Sequence, residues 1–222
     1  MAINAAEEET IESLKKWWDE NGKQLVLIVV AVFAGYTSWL YWQNSQAAAS
    51  ESASDVYEEI LTLTLTEPGV AISDTERSEI LELSAELIAS HSESIYAHYG
   101  ALFAAQQQVA ENDLAAAETS LQWIVDNPLS GLFVDEDEGL MLTASLRLGR
   151  VILAQGDTER ALSLVNNLDP KGYEGGFAEL RGDIYVAMER FLDARDAYVA
   201  AQQAGSTSDG LRMKLDELPD ES

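Results

Sequence analysis

The chain has 222 residues, of which 39 are acidic and 13 are lysine or arginine, so its formal net charge at pH 7 is −26. Nucleic acid, itself a polyanion, is therefore not expected as a partner. The acidic surface indicates either solvation or attraction for basic segments of other proteins. There is no cysteine, which excludes disulfides and thiol chemistry. A chain of this length has room for one globular domain besides a membrane segment.

The stretch from Gln24 to Trp42 is predicted to cross a lipid bilayer as one transmembrane helix. Residues 25–42 are 18 positions without a charged side chain. As a helix such a run extends about 27 Å, close to the roughly 30 Å hydrocarbon core of a bilayer. A cleaved signal peptide is the competing interpretation, because residues 47–49 are three alanines, but the apolar run is longer than is typical of one.

Basic residues near this helix predict its orientation. Lys15, Lys16 and Lys23 precede it, whereas the first basic residue after it is Arg77. Lysine and arginine concentrate on the cytoplasmic side of a span. Residues 1–23 are therefore expected to form a cytoplasmic arm, disordered at its start and helical before the span. The rest of the chain is expected to lie on the outer side of the membrane.

Helical patterns follow the span. Residues 43–75 are predicted to form a juxtamembrane helix and linker, in which the helix continues until Tyr57 begins to bury and Glu67-Pro68-Gly69 ends it. Residues 76–91 and 94–111 carry apolar side chains at helical spacing. No stretch alternates apolar and polar residues with a period of two, so the fold class is predicted to be all-α.

Three segments share the spacing of a tetratricopeptide helical hairpin. Each has a small residue, an alanine twelve positions later, and apolar residues four and seven positions beyond that alanine. In such a hairpin the small residue and the alanine lie where the two helices cross, because larger side chains would separate them. The three sets are Ala105, Ala117, Leu121 and Ile124; Gly149, Ala161, Val165 and Leu168; and Gly182, Ala194, Tyr198 and Ala201. Residues 76–218 are therefore predicted to form a tetratricopeptide-like domain.

An insertion separates the first two copies. Ala117 and Ala161 are 44 residues apart and the next pair is 33 apart, against a repeat of about 34 residues. The surplus lies at residues 127–139 and includes four consecutive acids, 135–138. These acids lack the ligand spacing and the glycine of a calcium loop, so a solvated insertion is preferred. The apolar pair Leu132 and Phe133 is an alternative docking point for a partner.

Motifs typical of catalysis and of cofactor binding are missing from the sequence. The sequence contains no motif typical of serine hydrolases, phosphate-binding loops, dinucleotide-binding folds or zinc proteases. His91 and His98 are its only histidines, and without cysteine nearby they make a poor zinc site. They are expected to be surface or partly packed residues. No enzyme activity, cofactor or metal site is predicted.

A binding surface is therefore the functional prediction. Tetratricopeptide hairpins stack so that their first helices line a concave face, and this face binds peptides or proteins. Projecting the repeat onto this sequence assigns eight residues to that face: Tyr99, Leu102, Gln106, Thr143, Leu146, Arg150, Glu179 and Asp183. The alternative is that some of them, above all Leu102 and Leu146, pack against a neighbouring helix or against the helix that follows the span.

Five stretches of sequence carry a resemblance to a known family. They are DENGKQL at 19–25, YAHYGALFAAQQQVAENDLAAAETSL at 96–121, LRLGRVILAQGDTERAL at 146–162, ELRGDIYVAMERFLDARDAY at 179–198 and LRMKL at 211–215. Together with the short arm, the single span and the helical hairpins, they resemble the ancillary SecYEG translocon subunit family over most of the chain. The acidic residues 135–138 and the low lysine content depart from the family's pattern.

The resemblance implies a bacterial inner-membrane protein with a cytoplasmic N-terminus and a periplasmic C-terminal domain. Its implied partners are the SecYEG translocon, a membrane-anchored periplasmic prolyl-isomerase-like chaperone, and secreted client chains that it assists as part of a chaperone network. The alternative is a tetratricopeptide scaffold that coordinates envelope assembly or cell division without chaperone activity.

Overall fold

The computed structural model describes residues 2–65, 71–129 and 138–219, with side-chain environments from residue 9 onward. Within these ranges the chain is all-helical, which confirms the predicted fold class. The helices are α1 (Ala2–Thr64), α2 (Asp74–Ser90), α3 (Ile95–Ala110), α4 (Leu114–Asp126), α5 (Glu138–Ala154), α6 (Thr158–Asn166), α7 (Glu174–Ala187), α8 (Phe191–Gln203) and α9 (Asp209–Glu217).

Two sequence features fall wholly or partly outside the described residues. The predicted helix-ending stretch Glu67-Pro68-Gly69 is one of them. The other is the insertion between α4 and α5, whose residues 130–137, including Leu132 and Phe133, are also outside. Of its four acids only Glu138 is described, as the first residue of α5.

Helix α1 contains the apolar run. It begins at Ala2, so the start of the arm is helical where disorder was expected. The apolar side chains of the run are exposed along the helix, with Leu27 at 68% and Phe33 at 67% exposure. The helix is long and apolar enough to cross a membrane. A lipid environment would remove this apolar surface from water, which is favourable.

The contacts divide the chain into two units, Met1–Ser52 and Ala53–Ser222. In the second unit, the last turns of α1 pack against α2 and α3. Ile60 of α1 is completely buried in one cluster with Ile80, Leu87 and Ala97. The helix that was predicted to continue past the span therefore does so, and its end forms part of the hydrophobic core of the second unit.

The turns between α3 and α4, α5 and α6, and α7 and α8 have the same backbone structure. In each, a residue with positive φ is followed by a residue whose N–H donates to the carbonyl oxygen five positions earlier, which is a common way to end a helix. The residues with positive φ are Asn112, Gly156 and Glu189, and the hydrogen bonds run from Asp113 to Gln108, Asp157 to Ile152 and Arg190 to Tyr185. These three turns lie where the hairpin repeat predicts them.

Two glycines mark close approaches between helices. A Cβ atom at Gly182 would lie 2.3 Å from the Tyr198 ring, so the crossing of α7 and α8 requires glycine there, as the repeat predicts. A Cβ atom at Gly149 would lie 2.7 Å from Leu180 Cδ2 of α7. The closest neighbour of Gly149 is therefore the next hairpin, whereas the sequence placed this crowding against Ala161 of its own hairpin.

His98 is more buried than expected, with 1% of its surface exposed. Its Nε2 lies 2.6 Å from the carbonyl oxygen of Asn127, and its ring centroid lies 5.0 Å from that of Trp123. The side chain thus joins the start of α3 to the end of α4, which is a structural role. His91 is half-buried and lies immediately after α2.

Candidate functional site

The eight residues predicted for a concave face lie on α3, α5 and α7, the first helices of the three hairpins. The structure gives them different surroundings. Some contact side chains from α1 or α9, some contact the neighbouring hairpin, and two line an open groove. Which of them bind a partner stays a prediction.

Tyr99 packs against the end of α1. Its ring centroid lies 5.7 Å from that of Tyr57, which also lies 5.3 Å from Tyr96 and 6.2 Å from Phe103. Burial, followed by the neighbouring Tyr99 and Tyr96, raises the pKa of the Tyr57 phenol. Tyr57 therefore covers this part of the predicted face. Leu102, one turn further along α3, is partly buried against the main core.

Thr143 and Leu146 of α5 contact the following hairpin. The Thr143 hydroxyl donates to the Tyr173 hydroxyl over 3.2 Å. Leu146 packs over Gly176 of α7, where an added Cβ atom would lie 2.9 Å from its Cδ2. These contacts are the packing alternative that the sequence left open for Leu146.

Glu179 and Asp183 of α7 bind a lysine from α9. Lys214 Nζ lies 2.8 Å from Glu179 Oε1 and 2.8 Å from Asp183 Oδ1. The Tyr198 hydroxyl donates to Asp183 Oδ1 over 2.8 Å. Helix α9 itself packs on α7 and α8 through the fully buried Leu211. The acidic pair on α7 thus has its cationic partner within the chain, and the lysine offsets one of its two negative charges.

The pKa values of this cluster follow from its geometry. Burial lowers the pKa of Lys214, but the hydrogen bonds and charges of Asp183 and Glu179 outweigh it, so the net effect is to raise that pKa. Burial also raises the pKa of Tyr198, and the hydrogen bond and charge of Asp183 add to the increase. A neutral phenol and a charged ammonium group are therefore the stable forms at neutral pH.

Gln106 and Arg150, by contrast, line a groove between α3, α4 and α5 with a volume of about 430 Å³. Both residues are exposed. The lining residues are Ala105, Gln106 and Val109 from α3, Leu114 and Leu121 from α4, and Arg147, Arg150, Val151 and Ala154 from α5. Apolar side chains form most of the lining, with the amide of Gln106 and the two guanidinium groups as its polar part.

Neither Arg147 nor Arg150 forms an ion pair with any of the described residues, and the same holds for Arg181 and Arg195. The other basic residues from Arg77 onward, which are Arg77, Arg160, Lys171, Arg190, Arg212 and Lys214, do form ion pairs. The groove, called the α3–α5 groove below, thus presents two positive charges that the chain leaves available. Arg147 was missed by the repeat projection. Its position three residues before Arg150, one helical turn away, is the sequence signal that pairs them.

Comparisons with known proteins identify the family to which the chain belongs. The family described as a tetratricopeptide repeat-like domain matches residues 15–220. The chain belongs to this family. Its tetratricopeptide-like hairpins, α3–α4, α5–α6 and α7–α8, agree with that membership.

Among curated proteins, three relatives are each named "Ancillary SecYEG translocon subunit". The protein from Haemophilus influenzae is 29% identical over 98% of this chain and 100% of its own length. The proteins from Escherichia coli and Neisseria gonorrhoeae are 28% and 27% identical, again over 98% of this chain and 99% and 100% of their own lengths. The resemblance found in the sequence is thereby confirmed. No solved structure matches the chain significantly.

The family and the names of the relatives point to a protein without catalytic activity. The relatives are named as ancillary subunits and carry a tetratricopeptide-like domain, which is a non-catalytic kind of protein. Within the described parts of the chain, no cluster of three or more histidine or acidic side chains is arranged to hold a metal ion.

Proposed function

We propose that this chain is a single-pass protein of the bacterial inner membrane that associates with the SecYEG translocon and holds a polypeptide-binding helical domain in the periplasm. The observation that carries the proposal is the near full-length similarity to relatives named ancillary SecYEG translocon subunits. The membrane-compatible helix α1 supports the anchor. The lysines before the apolar run support a cytoplasmic N-terminus.

The domain assists secreted chains as part of a chaperone network, together with a membrane-anchored prolyl-isomerase-like chaperone. Tethering a weak binder beside the channel raises its effective concentration at the exit site without any new contact. The α3–α5 groove supports this role, because an exposed, mostly apolar groove suits weak contacts with extended chains.

A scaffold for envelope assembly or cell division is the second candidate, and one observation favours it. Tyr57 covers the part of the predicted face at Tyr99, and Lys214 covers the part at Glu179 and Asp183. The α3–α5 groove is the part of that face left open, which suits one defined segment of a folded partner better than many client chains.

Crosslinking from chosen positions tests the proposal. A photoreactive residue is placed at Gln106 or Arg150 in the membrane-bound chain, and at Arg212 of α9 as an exposed control on another helix. The proposal expects the channel to copurify with the chain and adducts to secreted chains from the two groove positions. A single folded partner in those adducts favours the scaffold. Equal adducts from all three positions, or no copurifying channel, would contradict the proposal.

The orientation has its own test. Protease is added to spheroplasts, whose inner membrane is intact, and antibodies detect fragments from both ends of the chain. A periplasmic domain is digested while residues 1–23 survive. Protection of the C-terminal domain would show that the chain is inserted in the opposite direction and would overturn the proposed location.

A further inference from the structure

The α3–α5 groove differs in charge from the rest of the chain. Acidic residues outnumber basic ones by 39 to 13 in the sequence, yet none of the described residues that line the groove is acidic. Two of its lining residues, Arg147 and Arg150, are arginines, and no described residue forms an ion pair with either. The overall negative charge predicts attraction for basic partners, but the groove has the opposite preference.

The geometry of the groove joins these charges to an apolar surface. Arg147 and Arg150 lie one turn apart on α5, and both are exposed. Val109 of α3, with 45% of its surface exposed, and the half-buried Leu114 of α4 supply apolar contact area beside them. Guanidinium groups bind carboxylates through charge-assisted hydrogen bonds, and apolar side chains bury against valine and leucine.

We propose that the α3–α5 groove binds an extended segment of a partner polypeptide that carries aspartate or glutamate side chains beside apolar ones. The inference deepens the proposed function and rests on it, because it assumes that the domain binds polypeptides. It names the class of segment that the groove selects.

Charge complementarity identifies the occupant. A basic segment is attracted by the rest of the surface but repelled inside the groove, so its binding there is weak. Double-stranded DNA carries a negative charge about every 1.7 Å along its axis and is repelled by the whole acidic surface. A polypeptide with a few spaced carboxylates has no more negative charge than the two arginines can neutralise. Its apolar side chains can pack against the apolar residues of the groove.

The surrounding acidic surface opposes the approach of such a segment. At about 0.15 M ionic strength the screening length is roughly 8 Å, so acidic side chains further from the bound segment than this contribute little repulsion. Contacts made directly by Arg147 and Arg150 are shorter than that length and persist. The inference therefore predicts selective binding at near-physiological salt.

The test uses the full chain in lipid nanodiscs at about 0.15 M salt, the ionic strength at which the general repulsion is screened. Three short fluorescent peptides, acetylated and amidated, have the same leucine and serine positions and differ only in carrying aspartate, asparagine or lysine between them. Fluorescence anisotropy measures each dissociation constant. We expect the aspartate peptide to bind more tightly than the asparagine peptide, and the lysine peptide to gain nothing from the arginine pair.

Paired substitutions locate the effect. Arg147→Gln with Arg150→Gln should weaken binding of the aspartate peptide about tenfold, within the range expected for two exposed ion pairs, and leave the asparagine peptide unchanged. Arg147→Glu with Arg150→Glu should shift the preference towards the lysine peptide. The matched control is Arg190→Gln with Arg212→Gln, which removes the same charge from the residue before α8 and from α9 and should change none of the three constants.

Other outcomes overturn the inference and are distinct from failure of the proposed function. If the three peptides bind equally, or if the control pair has the same effect as the groove pair, the preference for acidic segments is wrong while polypeptide binding stands. If an asparagine peptide with a free C-terminal carboxylate matches the aspartate peptide, the groove recognises chain ends. If no peptide binds, the groove is not a polypeptide site, and channel copurification still tests the association with the translocon.

Discussion

One repeat pattern assigned the two ends and the middle of the predicted concave face. In the structure, other parts of the chain contact the two ends but leave the middle open. At one end Tyr57 stacks on Tyr99, and at the other Lys214 binds Glu179 and Asp183. In the middle, the arginines of the α3–α5 groove have no acidic partner among the described residues. Arg181 and Arg195 also form no ion pair with a described residue, but Arg147 and Arg150 are the two that line a groove together.

We expect the covered ends of the face to stabilise the fold and the open middle to bind a partner. A charge or ring that is satisfied by another helix contributes to the fold, and its removal should appear in the unfolding free energy. A charge that is left open contributes little to the fold, and its removal should appear in binding. Substitutions at the ends should therefore lower the unfolding free energy, whereas substitutions in the middle should weaken binding and leave the unfolding free energy nearly unchanged.

The largest effect is expected at Gly182, which positions the Tyr198 ring in the α9 end of the face. Gly182→Val places two methyl groups where even a Cβ atom would lie 2.3 Å from that ring. Overpacking of this kind should lower the unfolding free energy by about 3 kcal/mol, measured by thermal unfolding of the full chain in detergent. Gly210→Ala of α9 is the control, because its Cβ atom would meet nothing closer than 3.9 Å. Comparable losses from both changes would contradict the close approach.

A second large effect is expected at the other end. Tyr57→Ala removes three ring contacts and should cost about 2 kcal/mol, less than for a fully buried aromatic residue because Tyr57 is only half-buried. Tyr57→Phe keeps the ring and should cost much less. Chemical denaturation measures both, and crosslinking from Tyr99 should increase only in the alanine variant. If the alanine variant is as stable as the parent, the α1 end does not anchor this surface.

Lys214→Met should have a smaller effect. It leaves Glu179 and Asp183 without their cation, but the Lys214 side chain is 36% exposed, so solvent already screens part of the interaction that is lost. We expect about 1 kcal/mol. Lys214→Arg is the matched control, since it keeps the charge. A full loss in the arginine variant would show that packing of the lysine chain, rather than its charge, holds α9.

The same cluster predicts alkaline sensitivity. The folded-state pKa of Lys214 is raised by Asp183 and Glu179 against the effect of burial, so its stabilisation is complete below about 10.4, the unperturbed lysine value, and is lost as pH rises through the folded value. Tyr198, whose pKa is also raised, adds a loss in the same direction. The fall in Tm between about pH 8 and pH 11 should therefore be smaller in Lys214→Met than in the parent. An equal fall would contradict this coupling.

Most of the fold was accessible from the sequence because local spacing determines it. The small residue, the alanine and the two apolar positions of each hairpin are fixed by helix geometry within one repeat. Gly182 is crowded by the second helix of its own hairpin, as predicted, although the nearest side chain is Tyr198 and not Ala194. Gly149 was placed against its own hairpin, but Leu180 of the next hairpin is closer. Spacing within a repeat cannot give the distance between neighbouring repeats.

The candidate site was less accessible for a similar reason. A repeat projection reports which helix face a residue lies on, but not which other segment covers that face. Tyr57 and Lys214 lie outside the three hairpins, so nothing in the repeat pattern predicted their contacts with Tyr99 or Asp183. Arg147 lies outside the eight projected positions and lines the groove because α3, α4 and α5 leave space between them.

The smallest effect on stability is expected in the α3–α5 groove itself. Arg147→Gln with Arg150→Gln removes two exposed charges that have no described ion-pair partner, so the unfolding free energy should change by less than about 0.5 kcal/mol. Removing positive charge from an acidic chain slightly increases its self-repulsion, so any change should be a loss that shrinks at high salt. Thermal unfolding at low and high salt measures it beside Lys214→Met. A salt-independent loss as large as that of Lys214→Met would mean that the arginine pair supports the fold, and the contrast between the covered ends and the open middle would no longer hold.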